Sequence, residues 1–314
     1  MKTLTTMFLF KTKINKHFPT LAEQLGYSDK QILVIVNIDD VGLHGDETEA
    51  SFKALNYGMV KSGSIMVPCP DFKNVIGLWN KKQELDFGVH LTLTCEWGQK
   101  YPWTPVLPKT EVPSLYNSKG IMWQSLEELS RHARKKEIAL ELEAQINKVI
   151  ETGLKPSHID YHMNFGFYGN IFPIIVELSR KFNLSMRVPK NKRYKMPFVK
   201  NNLRSLRRKG YVYPDTRKGI YMLGGENQSL EYRKARYHDH LRSLQPGVHM
   251  IQAHIAFHTK ELENIMGLHN SSIRQIDYDV WTSNDTKELA EKLGIIFIGY
   301  RPLQELQAKL TKTC

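Results

Sequence analysis

Cysteine is scarce: Cys69, Cys95 and Cys314 are the only three in 314 residues, and none has a CxxC spacing. Three such thiols build neither a disulfide framework nor a thiolate zinc site, so Cys69 and Cys95 read as buried thiols and Cys314 as part of a tail. Long apolar runs are missing too. Nothing approaches the roughly 20 consecutive apolar residues of a membrane span. The apolar stretch 7–10 breaks at Lys11 without a small-residue cleavage site after it, which reads as non-secretory and cytoplasmic. Repeats, low-complexity tracts and Gly/Ser linkers are also lacking. With 41% hydrophobic and 24% charged residues, the composition excludes a mainly disordered, collagen-like or coiled-coil chain.

Acidic residues are missing from one place. Residues 180–209 hold 12 of the 44 Lys and Arg and no Asp or Glu, which leaves 32 basic against 32 acidic residues elsewhere. The formal charge of +12 is thus local. A solvated face is the ordinary use of such a run. A polyanion-binding strip, with Tyr194, Phe198, Tyr211 and Tyr213 as stacking groups, is the competing one.

What is present alternates. Residues 31–37 (QILVIVN) form a β-branched apolar run ending at Asp39, Asp40 and Gly42, and a helical stretch follows over 47–61. Strands are expected at 64–67, 86–93, 157–161, 249–256 and 295–299. Helices are expected at 72–78, 124–151, 171–182, 229–243 and 285–293. Such alternation implies a parallel sheet in an α/β, TIM-barrel-like fold. Residues 99–119, Pro-rich and containing Tyr101 and Trp103, are expected to form a lid or substrate loop. The expected organisation is an N-terminal extension (1–30), a single domain (31–303) with a basic insertion around 186–244, and a C-terminal tail (304–314).

Asp39 and Asp40 are adjacent acids at the carboxyl end of a buried strand, where α/β folds bind ligands. One Asp there often caps a helix. Two pressed together favour a metal or a catalytic division of labour, because like charges need a compensating cation. In SHIDYHMN, the residues His158, Asp160 and His162 share one face of a strand, and on a helix His158 and His162 still would. A lone strand histidine is usually a satisfied polar residue, but His-x-Asp-x-His points to a metal or catalytic site. His90 in FGVHLTLT and His254 in MIQAHIAF sit near strand ends and would converge on the same rim.

IVNIDDVG, GVHLTLT, SHIDYHM and AHIAF resemble, in order and spacing, the successive blocks of the YdjC-like family of carbohydrate deacetylases, approximately NADDFG, G(I/V)HLNLT, THLDSH and HP. The resemblance is strong from Gln31 to about Phe182, fails in the basic middle and resumes from Pro246 to about Leu303. LAEQLGYSDKQILVIV and SGSIMVPCPDF resemble a branch described as polysaccharide deacetylases. The resemblance implies a TIM-barrel-like fold and a divalent metal held by Asp40, His90 and His162. It implies Asp39 as catalytic base and His254 as the histidine of the HP block, although Ile255 stands where many members have Pro. Asp160 and His158 are left as groups that orient ligands or meet substrate, His158 also as a metal ligand.

An Asp-His-His set leaves coordination positions open, so its metal can lower the pKa of a water and polarise an amide carbonyl while Asp39 takes a proton. His254 would protonate the departing amine. The expected function is N-deacetylation of a sugar, oligosaccharide or polysaccharide, with hydrolysis of another bond such as a phosphoester as the alternative chemistry. Mg²⁺ follows from the resemblance and Zn²⁺ from two imidazole ligands. Nucleic acid is expected to bind weakly and non-specifically at most, and a homodimer is compatible with the reading.

Overall fold

The computed structural model describes residues 19–167, 171–188, 203, 205–219 and 229–312. Among the described residues, eight strands make one sheet: β1 (Ile32–Val41), β2 (Ser62–Ile65), β3 (Asp86–Leu91), β4 (His158–Tyr161), β5 (Ser185–Met186), β6 (Thr216–Gly219), β7 (Gly247–His254) and β8 (Ile295–Phe297). Their order is β5-β4-β3-β2-β1-β7-β6, and β8 pairs with the first residues of β1. Every pairing is parallel. Parallel neighbours need long crossovers. The helices Gly45–Tyr57, Phe72–Asn80, Lys135–Ile150, Phe172–Lys181, Lys260–Trp281 and Asn284–Lys292 lie in those crossovers.

The sheet is curled. In a flat sheet β1 and β5 would stand about 19 Å apart, four spacings of about 4.8 Å. Instead Arg187, directly after β5, donates from Nη1 to Asp39 Oδ2 of β1 at 2.7 Å. Asn37 of β1 likewise donates to Asp160 Oδ2 of β4 at 3.2 Å. The result is a TIM-barrel-like half-barrel with helices outside, as the alternation implied.

β1 shows how the sequence grades that barrel. Val34, Val36 and Ile38 are fully buried and pack in the main core with the surrounding helices. The alternate residues point the other way. Leu33 and Ile35 join Val248, Met250, Tyr300 and Leu303 in a second apolar cluster, and Asn37 and Asp39 follow them along the same face. Each buried Val, Leu or Ile contributes roughly 1.5–3 kcal/mol. One end of the interior is therefore packing, and the carboxyl end is polar.

Several elements depart from expectation. The single helix over 124–151 is two, Leu126–His132 and Lys135–Ile150, because Ala133 is extended and Ser114 Oγ takes the Arg134 N–H at 2.9 Å. The expected lid is pinned: Val106 and Leu107 N–H donate to Glu141 at 2.8 and 3.0 Å, Ser114 N–H donates to Glu137 at 2.7 Å, and Trp103 is buried. The tail expected over 304–314 is the helix Arg301–Lys312, with Leu303 buried and Gln307 bonded to Leu184 O and Val212 N–H. Its Leu303, Leu306 and Leu310 sit at helical spacing against the second cluster. In the N-terminal extension, residues 1–18 lie outside the described residues, while Leu21 and Ala22 join that same cluster. Cys69 and Cys95 are free and buried. No helix among the described residues is long and apolar enough to cross a membrane.

Candidate active site

On a regular strand, neighbouring side chains face opposite ways, so Asp39 and Asp40 should part. They do not. Asp40 has a left-handed backbone, φ 63°, and the β1–β2 register slips between Ile38 and Val41. Both carboxylates consequently face one imidazole: His90 Nε2 is 3.2 Å from Asp40 Oδ1 and 4.0 Å from Asp39 Oδ2. Such a conformation costs a non-glycine residue about 1–3 kcal/mol and persists where its surroundings over-determine it.

His162, directly after β4, brings Nδ1 to 3.0 Å from the same Asp40 Oδ1. Donor atoms of Asp40, His90 and His162 all lie within 4.8 Å of one another, and all three residues are buried. Each imidazole is anchored by its other nitrogen. His90 Nδ1 meets Asp160 Oδ1 at 2.7 Å, and His162 Nε2 meets Glu96 Oε2 at 2.8 Å. A proton on each anchored nitrogen leaves the opposite lone pair facing Asp40, the arrangement by which carboxylates orient metal-binding histidines. This donor set fits a divalent cation.

Burial opposes charging His90, but Asp160 and Asp39 outweigh it and push its pKa up to about 9. Burial likewise opposes His162, and Glu96 and Asp40 push it up to about 10. Asp40 is held well below the usual carboxylate range, against burial, chiefly by His162. Cationic charge is therefore favoured where the three donors meet.

Asp39, His90 and Asp160 form a second set of donors just as close. A cation already spans it. Arg187, 1% exposed, grips both oxygens of Asp39 through Nη1 and Nη2, and Nη2 lies 2.5 Å from Asp160 Oδ2. Asn37 also donates to Asp39 Oδ1 at 3.0 Å, and Gln252 donates to Oδ2 at 2.6 Å. Asp160 sits well below the usual range, because Arg187 and His90 overcome its burial.

The other oxygen of Asp40 faces helix Lys260–Trp281. Arg274 Nη2 donates to Asp40 Oδ2 at 2.7 Å, and Arg274 Nε lies 3.2 Å from Oε1 of the fully buried Glu47. Burial pushes Glu47 up to about 8 despite Arg274. His254 Nε2 is 3.9 Å from Asp40 Oδ2, and its side chain is 21% exposed at the rim. Burial is the main cause of its pKa lying below the ordinary 6.5, and its backbone N–H donates to Asp277 Oδ2 at 3.2 Å.

The structure thus brings Asp39, Asp40, His90, Asp160, His162 and His254 together, and leaves His158 out. Its ring stacks on Tyr300 at 3.8 Å between centroids, and Nδ1 meets Ser157 Oγ at 2.9 Å. Burial drives its pKa down to about 3, so it is a neutral interior group. Gly88 makes room for it, since a Cβ there would lie 2.5 Å from His158 Nδ1.

Asn37, Glu96, Arg187, Gln252, Arg274 and Ser64, whose Oγ donates to Asp160 Oδ2 at 2.9 Å, were not among the site residues expected from the sequence. Asn37 and Gln252 did leave a signal, each lying two residues before a named site residue on its own strand. Arg187 was counted in the basic run, and in the structure it is the counter-ion of two aspartates. Of the rest of that run, Arg180, Arg207, Arg208 and Lys209 are exposed and Lys181 pairs with Glu143. Lys190, Lys192, Arg193, Lys195, Lys200 and Arg204 lie outside the described residues, as do the stacking candidates Tyr194 and Phe198. Tyr211 and Tyr213 are buried in the core.

The model of the YdjC-like protein family matches residues 33–292. A carbohydrate deacetylase of Enterococcus faecalis is 29% identical over 278 residues, spanning 86% of this chain and 97% of its own length. A chitooligosaccharide deacetylase of Yersinia enterocolitica is 29% identical over 176 residues, 55% of this chain and 66% of that protein. Among solved structures, one from E. faecalis, described as a candidate cellobiose-phosphate cleavage protein, superposes with a TM-score of 0.71 at 26% identity. It covers 87% of this chain and 99% of its own. Because the family match runs from β1 to the helix before β8, through every strand that supplies a residue to the cluster, this chain belongs to the YdjC-like family.

Proposed function

We propose that this chain hydrolyses the N-acetyl amide of an acetylated sugar, oligosaccharide or polysaccharide, with a divalent ion held by Asp40, His90 and His162. The convergence of those three buried donors in a chain of this family carries the reading. Relatives named carbohydrate and chitooligosaccharide deacetylases support the substrate class. When bound, the ion would supply Lewis acidity toward a water molecule and the amide carbonyl. Mg²⁺ is proposed on family grounds, and Zn²⁺ is the ion that two imidazoles would otherwise favour.

The chain's own residues do the remaining work. Asp39 accepts the proton of the attacking water. Its four donor contacts, two from Arg187 and one each from Asn37 and Gln252, fill the lone-pair positions of both oxygens. Taking up a proton therefore requires Asn37 or Gln252 to release its hydrogen bond. His254, partly exposed at the rim, gives a proton to the departing amine. Asp160 and Glu96 keep His90 and His162 turned toward Asp40.

The test is release of acetate from N-acetylglucosamine dimers and longer oligomers by metal-stripped and metal-reloaded protein, with cellobiose phosphate as competing substrate. Acetate release restored by metal is expected. Cleavage of the disaccharide phosphate without any acetate release would overturn the assignment.

A further inference from the structure

Asp40 has two oxygens with two different neighbourhoods. Oδ1 faces His90 and His162 at 3.2 and 3.0 Å. Oδ2 receives Arg274 Nη2 at 2.7 Å. Arg274 is only 2% exposed and comes from helix Lys260–Trp281, whose Asp277 meets the cluster only through the backbone N–H of His254. Glu47, 0% exposed in the first turn of helix Gly45–Tyr57, lies behind it at 3.2 Å, and the Trp97 ring covers the guanidinium at 5.8 Å. A buried arginine with a buried acid behind it costs desolvation unless it is held in good geometry. Neither residue touches the donors of the imidazoles, so the proton and metal roles already assigned leave both without a use.

We propose that Arg274, backed by Glu47, is a positioning residue that ties up the second oxygen of Asp40 and limits that carboxylate to one donor oxygen toward the ion. The inference rests on the metal reading above. A free carboxylate can offer a hard cation both oxygens. With Oδ2 taken, Asp40, His90 and His162 supply three donors, the number that keeps positions open for reactants in hydrolytic sites. Arg274 thereby guards reactivity at the expense of metal affinity.

Cobalt(II) alone is the probe, because its visible bands weaken as its coordination number rises. Wild type, Arg274→Met and the double variant Arg274→Met/Glu47→Gln are each loaded and compared, with circular dichroism to verify the fold. The double variant removes both buried polar groups, so it decides the matter if the single one is unstable through leaving Glu47 unpaired. Both variants should retain cobalt, and their bands should weaken by about twofold as Asp40 adds its second oxygen. In metal-saturated protein, kcat should fall about tenfold or more with KM nearly unchanged. Spectra superimposable on wild type in a folded variant would overturn the proposal and leave the metal site standing. Failure of wild type to take up cobalt would instead overturn the metal reading, and this inference with it.

Discussion

Arg187→Met is the perturbation whose cost follows most directly from the structure. The guanidinium is 1% exposed and contacts two carboxylates that are 1% and 0% exposed, Asp39 and Asp160. Methionine keeps most of the volume and removes the charge, so two buried acids lose their shared counter-ion. Removing one partner of a buried pair costs about 3–5 kcal/mol, because the charge left behind is uncompensated. For a large domain each kcal/mol moves the melting point by about 2–4 °C, which puts the expected drop at roughly 6 to 20 °C. Metal-free protein measured by scanning calorimetry is the suitable assay, since ligand binding would otherwise mask the change. Arg208→Met, from the same basic run but exposed, is the control and should stay within about 0.5 kcal/mol of wild type. If Arg187→Met melts within about 2 °C of wild type, the counter-ion account of Asp39 and Asp160 is wrong.

His90→Ala and His162→Ala should each lose most of the bound divalent metal, read by elemental analysis of dialysed protein, while the far-ultraviolet spectrum stays native. Unchanged metal content would remove that histidine from the site. Asp40→Asn should lose metal, whereas Asp39→Asn should keep it and lose turnover by roughly 10²–10⁴, the scale of a missing general base. Equal metal loss in both would make the acid pair a joint ligand. His158 carries a stability prediction of definite sign. Its pKa is about 3 in the fold and about 6.5 when unfolded, so below pH 6.5 the unfolded chain takes up a proton that the folded chain refuses. Stability therefore falls with pH through that window, by roughly 2 kcal/mol at pH 5 from this group alone. Denaturant titrations at pH 7 and pH 5 should show a drop smaller by that amount in His158→Gln, and an identical drop would refute the assignment.

Much of this fold was legible because parallel strands buried on both faces read as β-branched runs. β1, β3, β4 and β7 were all anticipated within a few residues. Two-residue β5 is too short to leave a pattern, and helix Lys260–Trp281 bends at Gly267, φ 84°, which breaks its periodicity. In the site, a position near a strand end brings His90 beside Asp40 and strand alternation brings Asp160 to His90, whereas the same alternation also drew in His158, which the structure leaves out. The three residues of His-x-Asp-x-His do share a face, but β4 runs from the packed end of the barrel to its rim, and His158 lies a layer too deep. Asp40 was named from the acid pair, but that it faces the same way as Asp39 could not be read from alternation, since its left-handed backbone breaks the period of two. Arg187 and Arg274 could not be found at all from spacing. Each acts on β1 from an element 148 and 234 residues away in sequence, and only the curl of the sheet and the packing of a late helix bring them in.

The proposed function places one divalent ion at Asp40, His90 and His162 and makes N-deacetylation depend on it. Titrating metal-stripped protein with Mg²⁺, Zn²⁺ or Co²⁺ while recording acetate released from an N-acetylglucosamine dimer tests it most directly. No acetate is expected without metal, activity should saturate at one ion per chain, and Asp40→Asn should not recover at any metal concentration. Acetate release that persists undiminished in fully stripped protein, or that survives in Asp40→Asn, would contradict it.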